Sequence, residues 1–331
     1  MEKKFYIDRL QATMSQRYSV EYIRTCTTYA ERLLNNDLPV IFDANHLHII
    51  LKMKNIKQDC YQEFIITGKK GKKRTIYAPS RSLKIRQRWI LDNILYKIPI
   101  VDCCEGFIKN HSIYTNAKKH IGYKQNLNID IRNFFPSITQ DMVVGVFREI
   151  GYSTDVAIFF AVICCHDGRL PQGAPTSPYL ANIVCRNMDM RLMEFADNHS
   201  IVYTRYADDM TFSGDCEIDE IYEKIEKIIR ENGFSVNTGK TRIYKGNKRK
   251  VVTGIIVKEN GLSVPRNYKR KLKQEIYYCK KFGVANHLEN TKSEKKVNFR
   301  EYLYGKAFYI KMIEPRTGQK FLDELNEIQW D

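Results

Sequence analysis

The stretch Leu127-Asn128-Ile129-Asp130-Ile131 alternates apolar and polar residues without a break, a period of two that suits a strand with one buried face. Leu127, Ile129 and Ile131 then face a core, and Asn128 and Asp130 point the other way. The segments after it are helical in pattern. Thr139 stands where an N-cap belongs, ahead of Val143, Val146, Phe147 and Ile150 at i, i+3, i+4 and i+7. Ser177-Pro178 places a cap before a proline at the first helical position, opening a helix that turns Leu180, Ile183 and Val184 inward. Residues 201–206 and 210–213 are short β-type runs on either side of Ala207-Asp208-Asp209, the pattern of a hairpin. Ile221, Ile225, Ile228 and Ile229 form a helical stripe that Gly233 ends. Residues 251–257 and 262–264 flank Asn260-Gly261, a strong hairpin signal. Strand, helices, hairpin, helix, strand is close to a split βαβ sheet with helices on one face, an α+β architecture.

Elsewhere the pattern is plainer. Residues 1–60 show helical spacing, with Tyr22, Leu33 and Leu34 among the apolar positions, and no recognisable chemistry. Residues 63–67 and 74–79 read as strands around the basic run 68–73, whose four lysines suit either a solvated hairpin tip or contact with phosphate. A helix with Ile85, Trp89, Ile90 and Ile94 inward is expected next. Beyond Pro265 the chain is helical, basic and rich in tyrosine.

The net charge of +16 implies self-repulsion unless the protein meets a polyanion, so nucleic acid or an anionic membrane is the expected partner. No apolar run approaches the roughly 20 residues of a membrane span, and the first residues lack a signal-peptide pattern, so a cytoplasmic protein is expected. The nine cysteines are odd in number, have no CxxC spacing, and are not joined at zinc-finger spacing by His111, His120 or His166. Reduced, buried thiols and no structural zinc follow as expectations.

Asp130 sits mid-strand and Asp208-Asp209 at a hairpin tip. If those strands are neighbours, three carboxylates converge, and such a cluster repels itself unless a dication joins it. Hard oxygen donors select Mg²⁺, and two such ions about 4 Å apart can activate a sugar hydroxyl and stabilise departing pyrophosphate. An acidic pair alone is commonly a solvated turn. The surroundings Thr204-Arg205-Tyr206-Ala207-Asp208-Asp209-Met210-Thr211-Phe212 set this one apart, with an aromatic two residues before the pair and β-runs on both sides.

That motif resembles the catalytic hairpin of reverse transcriptases. Residues 130–137, from Asp130-Ile131-Arg132-Asn133 through Phe134-Phe135-Pro136-Ser137, look like the family's first palm motif. Leu170-Pro171-Gln172-Gly173-Ala174-Pro175-Thr176-Ser177-Pro178 resembles its template-and-dNTP loop, and the stretch from Asn232-Gly233-Phe234 to Lys240-Thr241 its next motif. The resemblance covers roughly residues 60–275, in the family's order. Asn116-Ala117-Lys118-Lys119-His120 and Val252-Thr253-Gly254 are similar to two elements of the bacterial retron branch.

The resemblance implies a right-hand polymerase with fingers, a ferredoxin-like palm and a short helical thumb. Its bounds would be an N-terminal helical segment over 1–60, fingers over 61–125, palm over 126–263 with part of the fingers inserted around 139–170, and thumb over 264–331. It implies Asp130, Asp208 and Asp209 as catalytic ligands of two Mg²⁺ ions, with Ile131 as a fourth metal-binding residue, and Lys240 as proton donor, where a solvated lysine is the plainer reading. For the dNTP it implies Arg74, Asn133, Phe134, Gln172 and Gly173, with Phe135 as a steric gate or, alternatively, a core phenylalanine. Basic and aromatic groups around Lys269, Arg270, Lys271 and Lys273 suit a helix lying along RNA. Asn116 and His120 suit RNA recognition, or else a capping asparagine and a buried, satisfied histidine. The partners implied are a structured noncoding RNA as template and guanosine 2′-OH primer, the RNA–DNA hybrid, dNTPs, and a separate effector protein in phage defence. The product would be RNA-linked single-stranded DNA (msDNA). An intron-encoded or diversity-generating enzyme, or an idle RNA-binding scaffold, are the rival readings; a nucleotide cyclase would need a Gly-Gly-Asp/Glu hairpin, which the sequence lacks.

Overall fold

A computed structural model describes residues 2–51, 61–68, 71, 73–246, 248–290 and 298–330. Its helices are α1 (Glu2–Met14), α2 (Val20–Asn35), α3 (Ala44–Ile50), α4 (Arg81–Asn93), α5 (Ile113–Lys118), α6 (Phe134–Ser137), α7 (Gln140–Glu149) and α8 (Thr154–Cys164). They continue with α9 (Ser177–Val184), α10 (Arg186–Asn198), α11 (Tyr222–Glu231), α12 (Arg266–Phe282), α13 (Val284–Asn290), α14 (Phe299–Ile313) and α15 (Pro315–Asn326). The strands are β1 (Tyr61–Thr67), β2 (Lys73–Pro79), β3 (Gln125–Asp130), β4 (Val202–Tyr206), β5 (Asp209–Gly214), β6 (Arg242–Tyr244), β7 (Lys250–Val252), β8 (Ile255–Lys258) and β9 (Gly261–Ser263). Two compact units form: Met1–Phe107, Ile131–Leu192 and Lys224–Asn237 make one, and Ile108–Asp130, Met193–Glu223 and Thr238–Asp331 the other.

In the first unit, β1 and β2 pair antiparallel, with Tyr61 opposite Pro79 and Thr67 opposite Lys73. Lysines 69, 70 and 72 of the basic tip lie outside the described residues. Helix α4 departs from expectation. It buries Leu83, Arg86, Gln87, Ile90 and Leu91, while Ile85 is exposed. The inward face is turned toward Gln87, whose Nε2 donates to the Tyr61 hydroxyl and the Ile163 carbonyl. Thr139 caps α7 as expected, accepting from the Met142 N–H, and Val143, Val146 and Phe147 are buried behind it. The expected cap at Ser177 shifts by one: Thr176 holds that place and Ser177 begins α9.

The second unit is built on a four-stranded antiparallel sheet in the order β4-β5-β3-β6. Numbered within the sheet this is 4-1-3-2 read from the other edge, the ferredoxin-like arrangement. Asp130 lies opposite Asp209, Asn128 opposite Thr211 and Arg242, and Asn126 opposite Ser213 and Tyr244. Paired residues share a face, so one side carries Leu127, Ile129, Met210, Phe212 and Tyr203, all buried, and the other side carries Asn126, Asn128, Asp130, Asp209, Thr211 and Ser213, with Val202 at its edge. The expected strand 251–257 is two strands. Thr253 (φ 45°) and Gly254 (φ 86°) both take positive φ and fold β7 back on β8, with Val252 opposite Ile255. Val252, Ile255 and Val257 then join Leu272, Ile276, Leu303, Ile310 and Leu325 in one core beneath α12, α14 and α15.

Among the described residues the cysteines are free thiols, and burial pushes Cys165 up to about 12, a range in which a thiol is unreactive. No helix among them is long and apolar enough to cross a membrane.

Glu314 ties α12 to the end of α14. It accepts from Lys269 Nζ with both oxygens at 2.8 Å, from the Val264 N–H at 2.8 Å and from the Ser263 hydroxyl at 2.8 Å. Burial raises its pKa, but the Lys269 ammonium and the two donors outweigh burial and hold it at about 2. A folded pKa below the unfolded one stabilises in full above the ordinary glutamate range, and that stabilisation is lost as pH falls toward 2. Glu314→Gln is therefore expected to cost about 1–2 kcal/mol at pH 7, a difference that shrinks below about pH 4.5 in thermal melts taken down the pH scale.

Candidate active site

The β4–β5 connection has two turn residues, Ala207 and Asp208, because Tyr206 already pairs with Asp209. Ala207 takes φ 58°, the conformation that the first residue of a type II′ turn needs and glycine normally supplies. An alanine there costs on the order of 1 kcal/mol. The fully buried Arg205 supports it, donating from Nη1 to the Ala207 carbonyl at 3.2 Å. Asp208 thus sits on the turn and Asp209 enters β5 directly across from Asp130.

Asp130 is buried, and its Oδ2 receives Lys240 Nζ at 2.5 Å. Burial pushes the Asp209 carboxyl up to about 6, the charges of Asp208 and Asp130 push the same way, and Lys240 opposes them. A pocket of about 420 Å³ opens beside these groups, lined by Asp130, Tyr206, Asp209, Lys240, Arg242 and Tyr244 among others. Among the described residues no set of three His, Cys, Asp or Glu side chains is already arranged as a cation cage. The donor chemistry nevertheless fits a hard dication: carboxylates crowded enough to raise Asp209, balanced by one ammonium lying on Asp130.

The residues expected at the dNTP belong to the other unit. Asn133 (φ 49°) stands in the left-handed region at the start of α6. Phe134 is buried, and Phe135 is half-buried, with ring centroids 5.4 Å from Phe134 and 6.1 Å from Phe107. Ile131, expected near the metal, is buried and bridges to Val236. Gln172 accepts from the Tyr77 N–H through its carbonyl at 2.9 Å. At Gly173 (φ 132°) a Cβ would lie 2.6 Å from the Tyr77 carbonyl oxygen, so no side chain fits between this loop and β2. Arg74 is exposed on the same strand.

Two expectations are corrected. Asn116 and His120 are buried, and their polar atoms face Thr204, Ser213 and Thr253 rather than solvent, so they are not positioned to read RNA. The plainer alternative, a buried and satisfied histidine, is what the structure has. Lys269 is held by Glu314 and does not present its ammonium outward, whereas Arg270, Lys271 and Lys273 are exposed. Tyr278 likewise stacks on His287, which pairs with Glu275. Sequence reading passed over Arg242 and Tyr244, although Lys240, Arg242 and Tyr244 alternate as strand residues on one face do. It also passed over Arg249, Arg266 and Asn267, which with Arg270 line a separate recess of about 490 Å³.

Residues 57–276 match the family model described as reverse transcriptase (RNA-dependent DNA polymerase). The chain is 36% identical over 287 residues to the retron Ec86 reverse transcriptase of Escherichia coli, covering 82% of this chain and 87% of that protein. To the retron Mx162 and Mx65 reverse transcriptases of Myxococcus xanthus it is 31% and 32% identical, over 81% and 78% of its own length. It spans 61% and 63% of those two longer proteins.

Gly173→Ala sets a methyl group against a backbone carbonyl that cannot swing aside, so a loss of about 1–3 kcal/mol is expected in denaturant melts. Asp209→Asn acts in the opposite sense. An acid whose folded pKa is raised opposes folding once it ionises, so stability falls as pH climbs from the ordinary aspartate range to about 6 and stays lowered above it. Without divalent cations, Asp209→Asn should melt higher than the native protein at pH 7.5 and equally near pH 4; a lower melt at pH 7.5 contradicts the crowding.

Proposed function

The chain belongs to the reverse transcriptase family, on its retron branch, and we propose that it copies a dedicated noncoding RNA into RNA-linked single-stranded DNA that serves in antiphage defence. It is an RNA-directed DNA polymerase with the right-hand α+β fold of that family. The observation that carries the reading is the placement of Asp130 and Asp209 opposite one another, next to Asp208, at the wall of a pocket that also holds Lys240. The three carboxylates would hold Mg²⁺, which when bound supplies the charge that activates the attacking hydroxyl and stabilises the leaving pyrophosphate. Lys240, already within hydrogen-bonding distance of Asp130, is assigned proton delivery to that pyrophosphate.

We assign the triphosphate to Arg74 and to the backbone N–H groups of Asn133 and Phe134, the sugar to Gln172, and exclusion of ribonucleotides to the Phe135 ring. The regions carrying these roles are fingers over 61–125, palm over 126–263 with part of the fingers around 139–170, and thumb over 264–331, preceded by an N-terminal segment over 1–60. For RNA, the exposed Arg270, Lys271 and Lys273 are joined by Arg249 and Arg266 at the recess, three guanidiniums around one hollow with no carboxylate among the described residues lining it. That arrangement suits phosphodiester oxygens. Priming from a guanosine 2′-OH of the same RNA, and a separate effector protein, complete the proposal.

The test expresses the protein with the DNA flanking its gene and isolates the small DNA formed. Debranching of 2′,5′ linkages should release DNA from RNA and increase its gel mobility, and Asp209→Asn should yield no product. DNA with a free 5′ end and no linked RNA would overturn the proposed priming.

A further inference from the structure

The polar face of the sheet is covered at its far end by α5 and the turn after it, and the contacts there are hydrogen bonds. The fully buried His120 ring lies between two hydroxyls, with Nδ1 2.7 Å from Ser213 Oγ and Nε2 2.7 Å from Thr204 Oγ1. Thr204 Oγ1 donates to Asn116 Oδ1 at 2.6 Å. A hydroxyl has one proton, so with that proton given to Asn116 the Thr204 oxygen can only accept from the imidazole. Nε2 therefore carries hydrogen, and in the neutral ring, the form that burial favours, Nδ1 accepts from Ser213 Oγ. Asn116 Nδ2 reaches on to Thr253 Oγ1 at 3.4 Å, on the β7–β8 turn that lines the same pocket as Asp209.

Thr204 stands on β4 four residues before Asp208, and Ser213 on β5 four residues after Asp209. One imidazole thus bridges both legs of the carboxylate hairpin on a diagonal, since Thr204 pairs with Thr211 and Ser213 lies two residues farther from the tip, opposite Val202. β4 is an edge strand, paired only with β5 in its sheet. Among the described residues no second strand flanks it on the outer side, and the tip carries like charges that repel Asp130. Apolar packing would tolerate a slide, whereas a chain of oriented hydrogen bonds in a dry interior fixes one position.

We propose that Asn116, His120, Thr204 and Ser213 are positioning residues, a buried relay that sets where the hairpin holds Asp208 and Asp209 relative to Asp130. This rests on the reading that those carboxylates bind the metal and perform synthesis. It replaces RNA recognition as the role of Asn116 and His120.

Thr204→Val keeps the side-chain shape and leaves His120 Nε2–H and Asn116 Oδ1 without their partner, while Thr204→Ser keeps the hydroxyl. Each is compared with the native protein in extension of an annealed DNA primer on a plain RNA template, in Mn²⁺ binding by the protein alone, and in the ring ¹⁵N shifts of His120. With a near-native melt, Thr204→Val should lower kcat by about 10- to 100-fold at an unchanged KM for dNTP. Its Mn²⁺ affinity should weaken by about tenfold, the Nε2–H signature should be lost, and Thr204→Ser should restore all three. Ser213→Ala, which removes only the donor to Nδ1, makes the same test if Thr204→Val does not fold. Native kcat and Mn²⁺ binding in a folded Thr204→Val protein would overturn the relay, as would a defect confined to initiation on the structured RNA. Asp209→Asn separates the two levels: if it still synthesises DNA, the carboxylate reading itself fails, whereas its inactivity beside a fully active Thr204→Val protein refutes the relay alone.

Discussion

Two carboxylates facing each other across one antiparallel pair is the constraint around which the second unit is arranged. Asp130 and Asp209 occupy directly opposed positions of β3 and β5, and Asp208 adds a third charge at the turn. In water such a trio would spread apart. Here backbone pairing holds the first two in register, and Lys240 supplies the compensating charge from the turn just before β6.

That arrangement works because the sheet has two different faces. Leu127, Ile129, Met210 and Phe212 drive it together from one side by burying apolar surface, as any half-buried sheet does. The other side has no such driving force and is held by specific bonds: Asn128 Nδ2 to the Val251 carbonyl at 2.6 Å, and His120 between its two hydroxyls. Asn126 is an exception, buried on this face with neither amide atom bonded among the described residues.

Much of this was legible in the sequence. Strict alternation around Asp130 gave the strand and its polar side, and β-runs around Ala207-Asp208-Asp209 gave the hairpin, because period and turn chemistry are local properties. What could not be read was partnership across long separations. Lys269 looks like a free cation until Glu314, 45 residues on, is found beside it. Ile85 fits an apolar stripe, but Gln87 is buried in its place, with Tyr61 and Ile163 accepting from its amide nitrogen. Thr253-Gly254 breaks an apolar run that propensity alone would extend, since only backbone geometry reports positive φ at both residues. Asn116 and His120 were singled out as a pair by sequence, and their hydrogen-bonding capacity was right; its direction, inward, depends on Thr204 and Ser213.

Gly173 has a consequence for how a lineage of such chains would change. The Tyr77 carbonyl stands where any β-carbon would have to be, so the position is closed to all nineteen alternatives by backbone alone, whatever the loop binds. A descendant that lost its polymerase activity but kept its fold would still retain this glycine, while Gln172 beside it, whose main-chain carbonyl makes the contact, would be free to drift. Invariance at the first position would then record architecture, and only invariance at the second would record chemistry.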